Sequence, residues 1–306
     1  MLKDRILSTL KFFDLQDYPL TLLELHRFLL ADRQVLQRVL DIRFEVLPGA
    51  GEPSQKTDIV SVLASLESEC AGEAECRYGF YYLKGREEIV GLRLKNHLYG
   101  LARERRVSKW AGFLRYIPFV RGAALGGSQT LGQQKPTSDI DLFIVTDPRY
   151  LWLARTLVTV YFQVIGLRRH GKLIANRFCL NHYVSGPKAL GELRNLYSGM
   201  EYARHRAIIY PQGMYAFHQN NLWWMRLMFP NLYFVDESIE RQAGAQKFLE
   251  KLLAGRLGDR LETWLKNWRL PKIKKQQFII VEDDELSFHP HSKQQALLQG
   301  FFEFQK

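Results

Sequence analysis

Residues 126–145 read GGSQTLGQQKPTSDIDLFIV. Two glycines and a serine follow the short apolar run FVRGAAL at 119–125. After ten intervening residues, Asp139 and Asp141 flank Ile140 and open a second apolar run that continues through Val145. The pattern predicts a strand, a tight turn, a helix or loop, and a second strand. Residues two apart in a strand project from one face, so Asp139 and Asp141 stand together while Ile140 enters the core. Two parallel carboxylates repel each other unless a cation sits between them. A hard divalent cation that favours oxygen ligands fits, Mg²⁺ or else Mn²⁺.

The glycines supply the other half of the pattern. At a strand end, Gly126 and Gly127 let the backbone approach a phosphate closely. Backbone N–H groups at the start of the following helix can bind that phosphate, and Ser128 can both cap the helix and offer its hydroxyl. A phosphate cradle beside a carboxylate pair is the chemistry of a nucleotide held with a metal. The bland alternative is a surface turn followed by an N-capped strand.

Working outward, residues 3–13 carry apolar side chains at helical spacing (Ile6, Leu7, Leu10, Phe13). Thr21 with Glu24 forms a capping box that opens a second helix, Leu22 to Leu30. A short helix is expected over 32–42 and a loop over 47–57. A further helix, capped by Thr57 or Asp58, carries Ile59, Val62, Leu63 and Leu66 inward. The aromatic stretch RYGFYYLKGRE (77–87) predicts a strand turning at Gly85. Three helices and an aromatic strand resemble a winged-helix domain. Its segment 58–70 has three acids and no Lys or Arg, so a protein contact suits it better than reading DNA. Residues 86–116 predict a linker helix, basic over 103–109.

Charge is unevenly placed. Residues 1–100 hold 13 Lys/Arg and 15 Asp/Glu, whereas residues 101–306 hold 30 and 17. From Arg149 to Arg177 there are six basic residues (Arg149, Arg155, Arg168, Arg169, Lys172, Arg177) and no acid. Such a field attracts polyanions, nucleic acid among them. The N-terminus lacks the apolar core and cleavage site of a signal peptide. The most apolar run, Tyr150 to Leu167, is short for a membrane span and carries Arg155 and Gln163. Cys70, Cys76 and Cys179 have no metal spacing and read as reduced thiols of a cytoplasmic protein without a membrane partner.

Leu125, Gly126, Gly127, Ser128, Asp139 and Asp141, in this order and spacing, resemble the DNA polymerase beta-like nucleotidyltransferase superfamily over roughly residues 115–215. Trp152-Leu153-Ala154-Arg155 and Cys179-Leu180-Asn181, with the N-terminal winged helix, are similar to one group of uncharacterised bacterial proteins of that superfamily. The resemblance implies an α+β, multidomain chain. It divides into a winged-helix-like domain (1–90), a linker helix (91–115), a nucleotidyltransferase core with a mixed sheet (116–215) and a mostly helical C-terminal region (216–306). It also implies an NTP substrate, transfer of NMP to an acceptor hydroxyl, and Mg²⁺ or Mn²⁺ on Asp139 and Asp141.

The sequence departs from that pattern at one slot. Many members carry a third acid on a later strand, here Phe178 to Val184. Alternation puts Cys179, Asn181 and Tyr183 on one face and Leu180 and His182 on the other, so the slot falls on Asn181. An amide oxygen can ligate a metal or hold a ribose, but it cannot act as a base. Alternation points His182 away, as a solvated or core histidine. Glu201, in a helical stretch Leu190–Ile209, reads as a surface acid, with a swing toward the metals as the alternative.

Arg155, if buried, needs a partner, either a structural carboxylate or a nucleotide phosphate. Trp152, Trp223 and Trp224 read as core. Residues 237–268 read as helices capping the nucleotide cleft, Lys272, Lys274 and Lys275 as a solvated cluster, and the acidic 282–290 as a turn with a minor metal alternative. Three functions compete: a nucleotidyltransferase, a nucleotide-binding scaffold without turnover, and a winged-helix nucleic-acid-binding regulator.

Overall fold

The computed structural model describes residues 1–41, 45–47, 49, 51–130, 134–188, 190, 194–235, 239–273, 280–281, 284–288 and 292–304. The chain begins with α1 (Leu2–Asp14), β1 (Leu20–Thr21), α2 (Leu22–Arg27), α3 (Arg33–Val39), α4 (Ile59–Glu67), β2 (Ala74–Arg77) and β3 (Phe80–Leu83). Both expected caps form. The Thr21 hydroxyl and the Glu24 carboxylate close a capping box on α2, and Asp58 accepts from Ser61 N–H at 2.8 Å to start α4. The three strands pair antiparallel in the order β1-β3-β2.

The long helix α5 (Glu88–Ala111) and a 3₁₀ turn (Gly112–Tyr116) lead to β4 (Val120–Leu125), a second 3₁₀ turn (Gly127–Gln129) and β5 (Ile140–Thr146). Then come α6 (Leu151–Val164), β6 (Phe178–Ser185), α7 (Leu196–Ala203), β7 (Arg206–Ile209), α8 (Pro211–Met228), α9 (Gly244–Leu253), α10 (Arg256–Ile273), β8 (Ile280–Val281), β9 (Glu285–Ser287) and α11 (Ser292–Phe304). Among the described residues no helix is long and apolar enough to cross a membrane.

Six strands form one mixed sheet in the order β7-β4-β5-β6-β9-β8, with β5 and β6 parallel and the other pairs antiparallel. The three strands expected around the motif are its centre. The short strand β7 replaces the last four residues of the helix expected over 190–209. The acidic tail of the chain is not a turn throughout: its described residues build β9, which pairs with β6. Lys274, Lys275 and residues 282–283 and 289–290 lie outside the described residues, as does the Lys272 side chain.

Both faces of the sheet are covered, and this explains the unbroken apolar run of β5. Ile140, Leu142 and Ile144 pack with Trp152, Val158 and Phe162 of α6 and Leu265 of α10. Phe143 and Val145 pack with Met200 of α7 and Met214 and Phe217 of α8. That second core continues into Phe12, Phe28 and Leu36, so the N-terminal segment shares its interior with the sheet. Phe301 of α11 closes on Phe12, ring centroids 5.3 Å apart.

Two acids from the C-terminal third hold this frame. Glu262 of α10 accepts from the backbone N–H groups of Trp152 (2.8 Å) and Leu153 (2.7 Å). It thereby caps α6, whose own N-cap, Tyr150, makes no side-chain cap bond. Glu250 of α9 accepts from Phe119 N–H at 2.6 Å and from Arg121 at 2.7 Å. These bonds fix α9 at the start of β4, the end away from the glycine turn. The expected helical cap over the cleft is therefore not formed by α9.

Candidate functional site

The glycine turn closes directly onto the acid-bearing strand. Gly126 N–H donates to the Asp141 carbonyl at 3.1 Å. Gly127 has φ +59°, and a Cβ there would lie 2.9 Å from Asp141 Cγ, closer than real Cβ atoms come. Gly126 in turn lies against His205, 3.3 Å from the place a Cβ would take to the ring Nε2. Gly127 is thus needed twice, for its left-handed backbone and for the approach of the Asp141 carboxylate. The Ser128 side chain lies outside the described residues.

Asp139 sits one residue before β5 rather than inside it, and its carboxylate still meets that of Asp141. Ligand atoms of Asp139, Asp141 and Cys179 all lie within 4.8 Å of one another. Cys179 stands opposite Asp141 in the parallel register of β5 and β6. The cysteine had no metal spacing in sequence, and only this register, set by a strand 38 residues on, brings it in. Burial and the neighbouring Asp141 push the Cys179 thiol up to about 12, against the opposing pull of Arg169. The thiol is therefore neutral at physiological pH.

Arg169 completes the cluster. Its Nη1 lies 2.7 Å from Asp139 Oδ2 and 3.2 Å from Cys179 Sγ. The loop that carries it runs beside the start of β6: Phe178 N–H donates to the Leu167 carbonyl at 2.8 Å, and Arg169 N–H to the Phe178 carbonyl at 2.9 Å. The backbone thus delivers a guanidinium to the carboxylate pair.

A bulge alters the expected alternation of β6. Asp141 pairs with Cys179 but Phe143 pairs with His182, so β6 carries one extra residue between them. Asn181 falls in this bulge and donates Nδ2–H to Asp141 Oδ1 at 2.8 Å. The slot assigned to a third acid therefore holds an amide that orients the second. Beyond the bulge the faces exchange. His182 joins the face of Phe143, ring centroids 4.7 Å apart, and pairs with the buried Glu285 at 3.2 Å. Tyr183 joins the core under α6. The reading of His182 as satisfied in the core holds, while its assignment to the opposite face from Cys179 does not.

Glu201 is not a surface acid: it is buried on α7. Burial raises the Tyr197 phenol, and the charges of Glu201 and Asp141 raise it further, which puts both acids within electrostatic reach of that ring. Among the described residues Glu201 ligates nothing together with Asp139 and Asp141.

Arg155 has no structural carboxylate among the described residues. Its guanidinium lies 5.1 Å from the Phe288 ring and 5.8 Å from the Trp152 ring, and its Nε is buried without a hydrogen-bond partner. It lines a cavity with Cys179, Leu180 and Asn181 of β6 and with Phe288, and no residue of the glycine turn is among the described residues of that lining. The run 149–177 is likewise not an unbalanced basic face, since the exposed Arg149 is held by Asp259 at 2.9 and 3.0 Å and Arg169 by Asp139. Arg103 is buried and donates to the carbonyls of Lys135 (2.6 Å) and Pro136 (3.1 Å), bracing the approach to Asp139. Trp152 and Trp224 are core residues, but Trp223 is 45% exposed.

Residues 107–177 match the family model of the nucleotidyltransferase domain. The match spans the end of α5, β4, the glycine turn, β5 and α6, and stops short of Cys179 and Asn181. No curated protein and no solved structure matches the chain.

Proposed function

We propose that the chain is a metal-dependent nucleotidyltransferase that moves NMP from an NTP to an acceptor hydroxyl. The observation that carries this reading is the meeting of the Asp139 and Asp141 carboxylates against the glycine turn, inside the segment that matches the domain family. The donor set fits a hard divalent cation: two carboxylates converge, and the third neighbour is a thiol, a soft donor that Mg²⁺ does not favour. Asp139 and Asp141 would hold Mg²⁺ or Mn²⁺, and the cation, when bound, offsets the negative charge of the phosphates.

The chain's own residues account for the rest. Backbone N–H groups of the Gly127–Gln129 turn receive the terminal phosphates, with Ser128 as a further donor. Asn181 holds the Asp141 carboxylate by its Oδ1 and keeps the other oxygen in place. Arg169 neutralises Asp139 in the absence of nucleotide and yields it on binding. The acceptor oxygen attacks the α-phosphorus in line. A new P–O bond forms, the bond from the α-phosphorus to the bridging oxygen breaks, pyrophosphate leaves, and the hydroxyl proton passes to solvent. Neither the Asn181 amide nor the neutral Cys179 thiol takes that proton.

The N-terminal segment fits a winged helix by its sequence of elements and its sheet order β1-β3-β2, and its acidic α4 region suits a protein partner. Its shared core with the sheet supports a fixed platform over a tethered module.

A scaffold that binds nucleotide without turnover is the second reading, favoured by the amide of Asn181 where a base would stand. Incubating the protein with each labelled NTP, Mg²⁺ or Mn²⁺ and a cell extract separates the two. Label transferred to any acceptor supports the enzyme. Metal-dependent NTP binding without transfer supports the scaffold, and no binding of any NTP refutes both.

A further inference from the structure

A cavity of about 360 Å³ opens beside the carboxylate cluster, between the first residues of β6, the loop before it and α6. Arg155, Arg168, Arg169 and His170 line it together with Cys179 and Asn181, and no acid is among its described lining residues. Of the three arginines, Arg169 is balanced by Asp139. Among the described residues Arg168 reaches only the Gln163 amide oxygen, at 3.5 Å. Arg155 is half-buried with its Nε unpartnered. Burial lowers the Arg155 pKa, and the cations of Arg269 and Arg168 lower it further against the pull of Tyr183. A guanidinium is still charged at neutral pH. Buried cations without counter-charge are costly, and an anion relieves them.

We infer that this cavity binds a phosphate group of the acceptor, so that the acceptor is a small phosphorylated molecule of mononucleotide or sugar-phosphate size. The inference rests on the transferase reading above and names its second substrate. Three features favour an acceptor over the NTP itself. The glycine turn follows β4, the cavity is walled by Cys179, Leu180 and Asn181 of β6, and the Asp139 and Asp141 carboxylates at the start of β5 stand between them. Neighbouring strands lie about 4.8 Å apart, so the two phosphate-binding places are separated by roughly 10 Å. In-line displacement sets the attacking oxygen and the leaving pyrophosphate on opposite sides of the α-phosphorus, and a triphosphate on the glycine flank leaves the arginine flank to the acceptor. The volume lies near the lower end for small-molecule sites, which suits one phosphorylated sugar or nucleotide.

The test uses the whole chain and calorimetric titration. Without metal and with chelator present, inorganic phosphate and ribose 5-phosphate bind the wild type, and ribose does not. Arg155→Gln weakens that binding at least about 10-fold, the loss of a charge-assisted hydrogen bond, and leaves Mg²⁺-dependent NTP binding within about 2-fold, since most of the triphosphate's contacts lie elsewhere. Arg168→Gln, at a less buried position, does the same if Arg155→Gln fails to fold. Asp141→Asn has the reverse pattern: it loses metal-dependent NTP binding and keeps phosphate. Absence of phosphate binding to the wild type overturns the inference and leaves the transferase reading standing. Equal loss of phosphate and NTP binding in the arginine variants also overturns it, because the cavity would then belong to the triphosphate. Loss of NTP binding in the wild type removes the transferase reading itself.

Discussion

Glu24 joins the N-terminal helices, through Arg204, to the glycine turn of the proposed nucleotide site, and Glu24→Gln removes its charge while keeping a residue that suits the capping box. Arg93 donates to Glu24 twice, at 2.7 and 2.9 Å, and Arg204 lies 3.2 Å away on its other side. Arg204 also donates to the carbonyl of Thr130, next to the glycine turn, at 3.1 Å. Burial by itself would raise the Glu24 carboxyl. The hydrogen bonds from Arg93 and the charges of Arg204 and Arg93 outweigh it and hold the carboxyl down from 4.5 to about 2. At about 1.4 kcal/mol per unit, the ionised carboxylate contributes roughly 3 kcal/mol. Because the folded-state pKa is depressed, this stability is fully present above the unfolded value of 4.5 and is lost as pH falls through about 2. Urea unfolding at neutral pH should therefore find Glu24→Gln about 3 kcal/mol less stable, and the gap should close over that acid window. A variant as stable as wild type at neutral pH, or a gap that persists into strong acid, refutes the argument.

Gly127→Ala should abolish metal-dependent NTP binding by displacing the Asp141 carboxylate and should cost about 1–2 kcal/mol for the left-handed backbone; a thermal shift with Mg²⁺–NTP equal to that of wild type counts against it. Asp141→Asn should lose the same shift yet keep or raise the metal-free Tm, because one of two neighbouring like charges is gone; a strand-capping role for Asp141 predicts a lower Tm instead. Asn181→Asp should lower the metal-free Tm and restore it with Mn²⁺, since it sets a carboxylate at hydrogen-bond distance from Asp141. Cys179, with its thiol raised to about 12, should resist iodoacetamide in the folded protein up to strongly alkaline pH and react rapidly once urea unfolds the chain, whereas the exposed Cys76 labels in both states; fast labelling of Cys179 itself in the native protein, read by peptide mapping, contradicts the burial argument.

The legible parts of the fold are those set by local rules. The Thr21–Glu24 box, the Asp58 cap and the Asp139/Asp141 pair each depend on residues within a few positions of one another, and all three formed as expected. The parts that escaped depend on distant segments. The bulge at Asn181 follows from how β6 meets β5, and nothing within FCLNHYV announces the extra residue. Cys179 and Arg169 reach Asp139 only through parallel pairing and the loop before β6. The strand β7 is four residues long and adds to the β4 edge, too short for periodicity to separate it from the helix before it. Glu201 carried a surface signature because its burial is created by the helices and strands around α7.

The cap that Glu262 places on α6 bears on the order in which the chain can mature as it is made. Trp152 and its capping acid are 110 residues apart. At ribosomal rates of about 5–20 residues per second, some 5–20 s pass between them. During that interval the helix behind the acid-bearing strand has open N–H groups at its first turn and lacks Leu265 against its apolar face. The central sheet is thus held in waiting until α10 has been synthesised, and a fragment ending near residue 215 would contain every proposed catalytic side chain and still lack the piece that fastens them.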